Sequence, residues 1–155
     1  MIIDSRNEFC DATSVAAAAG TALVGNVIDL GAEVYDIGVS GPLYLVMTCD
    51  TAVITGGSAG TISFSLASDA QAAIATDGSA TVHFSTGSFV TDDAALNDLD
   101  AGAVIAMVQL PMGTQYERYL GILATVGTTT VTEGAINAFL TPVAPQRHAY
   151  PDNVK

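Results

Sequence analysis

Lysine is nearly missing from this chain. Of 155 residues only four are basic, Arg6, Arg118, Arg147 and the terminal Lys155, against 16 Asp and Glu, and the net charge is -12. Binding a polyphosphate takes a patch of Lys and Arg that displaces counterions, so no nucleic-acid partner is expected. An anionic membrane surface is excluded for the same reason. Tryptophan is absent and aromatics make up 6% of the residues. Sugar rings are usually held on aromatic platforms, and the shortage counts against a glycosidase or a typical lectin. Two cysteines, Cys10 and Cys49, are too few for a disulfide scaffold. Neither has a Cys or His partner at ligand spacing, so both read as packed, reduced thiols, and no metal or cofactor is expected. No apolar run approaches the ~20 residues that cross a bilayer, and no membrane partner is expected. The opening Met1 to Phe9 segment carries acid and lacks the basic stretch and apolar run of a signal peptide, which implies synthesis in the cytoplasm.

Charged residues are also scarce overall, at 13%, while apolar residues make up 50%. An ordinary soluble domain carries roughly 25% charge, so much of this surface must be uncharged. Such an apolar chain is not disordered. Its length suits one domain that buries close to ~70% of the surface its unfolded form exposes.

Alternation of apolar and polar residues recurs in short segments, the mark of strands with one face on a core. Thr61 to Leu66 is the clearest, with Ile62, Phe64 and Leu66 on one side and Thr61, Ser63 and Ser65 on the other. Asn26 to Leu30, Leu43 to Asp50, Thr81 to Ser85, Val104 to Leu110, Tyr119 to Val126 and Ala135 to Thr141 complete the set. Turn signals lie between them: Gly31, Gly41-Pro42, Gly56-Gly57, Asp77-Gly78, Thr86-Gly87, Pro111 to Gly113, Gly127 and Gly134. The alanine-rich stretches 14–22 and 68–75 are too short to hold a helix unaided. Seven or eight strands with Gly-rich turns predict an all-β, antiparallel β-sandwich of jelly-roll type. Residues 1–25 lack sustained alternation and are expected to be an N-terminal arm, and deletion of residues 1–9 is expected to leave the sandwich folded. Residues 26–141 form the jelly-roll domain, and 142–155, with three prolines, a C-terminal tail.

Catalytic chemistry finds little support. His83 falls opposite Val82 and Phe84 in its alternation, at the surface or over an edge, and His148 lies in the proline-rich tail. No nucleophile elbow, phosphate loop, dinucleotide fingerprint or zinc-protease motif occurs. The densest acids, Asp92, Asp93, Asp98 and Asp100, share one loop, but an Ala-Ala-Leu insertion breaks the alternation that a calcium loop requires. That loop is expected to be solvated and acidic, and no enzyme is expected. What remains is a surface poor in charge and rich in small residues, which suits close packing against other protein.

Several stretches carry a resemblance: Met1 to Ala12, Asn26 to Gly31, Asp36 to Val46, Tyr116 to Gly127 and Thr132 to Leu140. Together they resemble the capsid cement proteins of short-tailed bacteriophages, of the Bordetella phage type. The similarity runs through nearly the whole chain and is weaker from Gly56 to Asp100. It implies a jelly-roll virion protein that binds outside an HK97-like capsid and bridges capsomers of the major capsid protein. It further implies a homo-oligomer, a dimer first and a trimer second, with no catalytic residue. Its expected contact residues are Ile2, Ile3 and Phe9 as apolar anchors of the amino-terminal arm, and Tyr116, Arg118 and Tyr119, since aromatic and Arg residues dominate interface energetics. Plain core packing competes for Ile3 and Tyr119, and an ion pair within the chain competes for Arg118. The alternative function is a receptor- or carbohydrate-binding jelly-roll module of a phage particle.

Overall fold

The computed structural model describes residues 5–31, 37, 41–56, 60–91 and 98–143. Among the described residues a single 3-10 turn, Ser5–Asn7, leads into nine strands: β1 (Glu8–Ser14), β2 (Gly20–Asp29), β3 (Tyr44–Thr55), β4 (Thr61–Asp69), β5 (Thr81–Ser85), β6 (Phe89–Val90), β7 (Val104–Gln109), β8 (Tyr119–Val126) and β9 (Val131–Thr141). The protein is all-β, and its strands form two antiparallel sheets packed as a sandwich. One has the order β1-β9-β3-β7. The other has β2-β8-β4-β5, with the two-residue β6 also on β4.

Leaving β6 aside, the first strand pairs with the last, the second with the next to last, and so inward, in alternate sheets: β1 with β9, β2 with β8, β3 with β7, β4 with β5. That nested order, a long hairpin wound into two layers, is the one a jelly roll requires. Inward-facing residues of both layers fill one core, with Phe9, Leu45, Met47, Val53, Ile62, Phe64, Leu66, Leu120, Ile122 and Ile136 all at or near zero exposure. The period-two pattern of Thr61 to Leu66 is the cause: Ile62, Phe64 and Leu66 enter the core while Thr61, Ser63 and Ser65 stay half-buried.

The amino-terminal arm expected over residues 1–25 is corrected from Glu8 onward. β1 is an edge strand of the first sheet and β2 of the second, and Phe9, Val15 and Val24 are buried. Their alternation is hidden in the sequence because both strands are bulged. In β1 the register slips between Cys10 and Thr13, Ala12 takes φ 43, and its N–H is received by Asn137 Oδ1 at 2.6 Å. In β2 the register slips between Val24 and Ile28, where Gly25 takes φ 69. A bulge shifts the inside–outside phase, so a periodicity search sees no sustained strand. Ile2 and Ile3 lie outside the described residues, as do Asp92, Asp93 and the tail from residue 144.

β8 is covered on both faces. The bend-rich segment between β4 and β5 lays Ile74 over Leu123 and Ala67, with Leu23 and Val27 beside them, which makes a second small apolar cluster outside the sheet. Asp69 fixes that segment by accepting from the backbone N–H groups of Gln71 and Ala75, both at 3.0 Å.

Candidate functional site

Tyr116, Arg118 and Tyr119 come together where the chain enters β8, but they do different work. Tyr116 is 1% exposed. Its hydroxyl donates to the carbonyl of Pro111 at 3.0 Å, and its ring lies 4.1 Å from that of His83. It therefore supports the fold and presents no surface to a partner. Phe9, at zero exposure, is likewise a core residue.

Arg118 stands at the surface in a two-pronged ion pair with Asp29, Nε to Oδ1 and Nη2 to Oδ2, both 2.9 Å. Both side chains remain more than two-fifths exposed. The guanidinium also lies 4.9 Å over the Tyr119 ring. Strand register explains the meeting, because Tyr119 of β8 sits between Asp29 of β2 and Asp69 of β4. The Arg118 side chain, helped by the Gly31 N–H, holds the Asp29 carboxyl down from 3.8 to about 2. Since the folded value is the lower one, the pair stabilises the fold fully above about pH 4 and loses that effect as the pH falls toward 2. Asp29→Asn is expected to flatten this acid limb in melting curves taken across that range. An acid limb identical to that of the parent protein would refute the assignment.

Behind this surface lies a polar cluster. Ser68, at zero exposure, ends the inward face of β4. Its Oγ is 2.7 Å from His83 Nε2 and accepts from the Glu117 N–H at 3.0 Å, while Thr81 Oγ1 donates to Glu117 Oε1 at 2.8 Å. His83 departs from its expected place for a definite reason. Between Leu66 and Ala67 of β4 the β5 register skips a residue, so Val82 faces out at 53% exposure, Phe84 faces in, and His83 is the extra residue. The bulge turns its ring under Tyr116. Burial lowers the His83 pKa from its usual value, against a weaker upward pull from Glu117. A serine beside a histidine resembles the start of a hydrolase dyad, but an enclosed Ser68 hydroxyl cannot reach a substrate. The pair instead ties β4, β5 and the approach to β8 together.

Sequence reasoning missed Ser68 and Asp29. A signal existed for Ser68, since extending the Ile62, Phe64, Leu66 alternation by one step puts a hydroxyl on the apolar side, where it requires a partner. The two thiols are packed as expected: Cys10 and Cys49 are 4% and 2% exposed, and burial pushes Cys10 up to about 11 and raises Cys49. In the acidic loop, Leu99 is fully buried and Asp98 is occupied by β6, its carboxylate accepting from the Val90 N–H at 2.9 Å. Among the described residues no three of His, Cys, Asp and Glu stand close enough to hold a metal ion, and no helix is long and apolar enough to cross a membrane.

These features define a class: a two-layer antiparallel sandwich whose tightest polar arrangements brace strands. Within that class, a family model described as Bbp16 matches residues 9–140, and the chain belongs to that family, a Bordetella phage protein family. No curated protein matches it.

Proposed function

We propose that the chain is a structural virion protein that seats on the outside of an HK97-like phage capsid and bridges neighbouring capsomers of the major capsid protein. It stabilises the head as a homo-oligomer, a dimer in the first instance, and performs no catalysis. Membership of the Bbp16 family over residues 9–140 is the observation that carries this reading. Composition supports it: a surface short of charge suits packing over a lattice, and weak contacts repeated there become strong through high effective concentration. The net charge of -12 keeps such a protein from being captured by packaged or free DNA. Ile2 and Ile3 are proposed as amino-terminal anchors, and the half-exposed Arg118 with Tyr119 as a second contact.

Quantitative mass spectrometry of purified virions tests the proposal. A copy number close to that of the major capsid protein is the expected result. A handful of copies per particle, or none, overturns the lattice role and favours a receptor- or carbohydrate-binding module.

A further inference from the structure

His83 stands where three parts of the chain meet: β5, an outer strand of the second sheet, β4 beside it, and the approach to β8. Its two ring nitrogens are differently placed. Nε2 lies 2.7 Å from Ser68 Oγ, whereas Nδ1 is buried with no hydrogen-bond partner among the described residues. Ser68 Oγ also accepts from the Glu117 N–H at 3.0 Å, and Ser68 itself has zero exposure. A serine hydroxyl has one proton to give and two lone pairs. With the ring neutral and its proton on Nδ1, the Ser68 O–H donates to Nε2, and only the Nδ1–H is left unpaired. With the proton on Nε2 instead, the ring donates to Ser68, and both Nδ1 and the Ser68 O–H lack a partner. Hydrogen-bond balance therefore assigns the first tautomer to the closed fold.

A second proton has to enter at Nε2, the atom that receives the Ser68 hydrogen. The imidazolium is a donor at both nitrogens. Nε2–H then points at Ser68 Oγ, the Ser68 O–H is turned away with no acceptor, and a charged Nδ1–H stays buried without one. An unpaired buried donor is costly, and more so when it carries charge. The surroundings offer little relief. On β4, Asp69 follows Ser68, but its carboxylate is occupied by the Gln71 and Ala75 N–H groups. β5 has no other ionisable residue. From the approach to β8 come Tyr116, which burial keeps neutral, Arg118, which faces Asp29, and Glu117, whose charge attracts the proton. That attraction is weaker than the effect of burial, and the Glu117 carboxylate already accepts from Thr81 Oγ1.

We propose that His83 is an acid-operated latch: on gaining a proton it leaves Ser68 for water and the Glu117 carboxylate, and β5 and the Glu117 segment part from β4 while the rest of the sandwich stays folded. The opening is local because β5 is five residues long and, among the described residues, pairs with β4 alone. The inner strands β3, β8 and β9 keep both neighbours. The freed ring titrates near the usual 6.5 and the enclosed ring below it. Closure is therefore at full strength above pH 6.5 and weakens as the pH falls through that value toward the lower one of the closed fold. The Asp29–Arg118 pair does not interfere, since it holds down to about pH 4. Arg118 and Tyr119 follow directly on Glu117, so acid also loosens the contact proposed above, and that consequence alone rests on the proposed function.

The test is amide hydrogen exchange of the full chain by NMR from about pH 7.5 to about pH 4.5, with intrinsic exchange divided out, alongside a titration of the histidine rings. His83→Gln assigns the His83 signal, since the only other histidine is His148. The Glu117 N–H, bonded to Ser68, and the β5 amides are expected to lose protection by up to about tenfold per pH unit below 6.5, while amides of β3 and β9 hold theirs. His83→Gln keeps a polar group opposite Ser68 but takes up no proton, and its protection should be flat across the range. Glu117→Gln keeps an acceptor for Thr81 and removes the charge, which should lower the midpoint of the His83 ring titration. The parent chain and Glu117→Gln decide the question even where His83→Gln misfolds. A His83 ring that titrates at or above 6.5, protection that is lost equally in β3 and β9 or not at all, or a loss that persists in His83→Gln would each overturn the inference. None of those results alters the virion copy number, so the two readings can fail separately.

Discussion

Gly25→Ala is expected to destabilise the sandwich by about 3 kcal/mol, from about 1–2 kcal/mol for an L side chain in the left-handed region and about 1–3 kcal/mol for overpacking. Gly25 holds φ 69 within the β2 bulge. A Cβ there would run into the Phe9 carbonyl oxygen and come within 2.6 Å of Cys10 Cβ. The first obstacle is backbone, which cannot rotate away. The position matters because β1 and β2 belong to different sheets, and their bulges bring the two layers together along one side of the sandwich. At this chain length the loss corresponds to a fall of about 10 °C in melting temperature. Gly87→Ala is the control, since nothing lies within 4 Å of its Cβ position and its φ is not positive. That control should shift stability by less than about 0.5 kcal/mol. A Gly25→Ala protein that melts with the control would mean that the β1–β2 seam is looser than the structure places it.

The same seam shows where sequence was informative. Strands with unbroken alternation, above all Thr61 to Leu66, could be read directly, and the sandwich class followed from them with its spacing of Gly-rich turns. β1 and the first half of β2 could not, although Asn26 to Asp29 could, because bulges at Ala12 and Gly25 reset the phase of alternation within each strand. His83 was misplaced for the same reason, a one-residue slip in β5. Partnership was harder still. The pairing of Arg118 with Asp29 joins residues 89 positions apart, and only the strand order β2-β8-β4 makes them neighbours. One of 16 acids could be anticipated as a partner for Arg118, but which one is a property of topology. The buried placement of Tyr116 arises likewise from long-range contact, the His83 ring brought under it by a bulge in another strand.

Phe9→Ala is expected to cost about 3–5 kcal/mol of folding stability, the range for emptying a buried phenylalanine site. Phe9 has zero exposure and belongs to the same core cluster as Cys10, Val24, Ile136 and Leu140. An apolar anchor that docks on a partner behaves in the opposite way: its removal leaves the free protein folded and weakens attachment alone. The two roles separate in one experiment, in which urea denaturation of the free variant is compared with its binding to shells at a temperature where it is still folded. The expected outcome is a large drop in the urea midpoint with attachment nearly unchanged once the unfolded fraction is taken into account. A stable variant that fails to attach would return Phe9 to the arm. By the same reasoning a deletion of residues 1–9 removes the start of β1 and its core phenylalanine, and it should unfold or severely weaken the sandwich. The segment that can be dispensable for folding and still serve a partner is therefore confined to residues ahead of Glu8, where β1 begins to pair with β9.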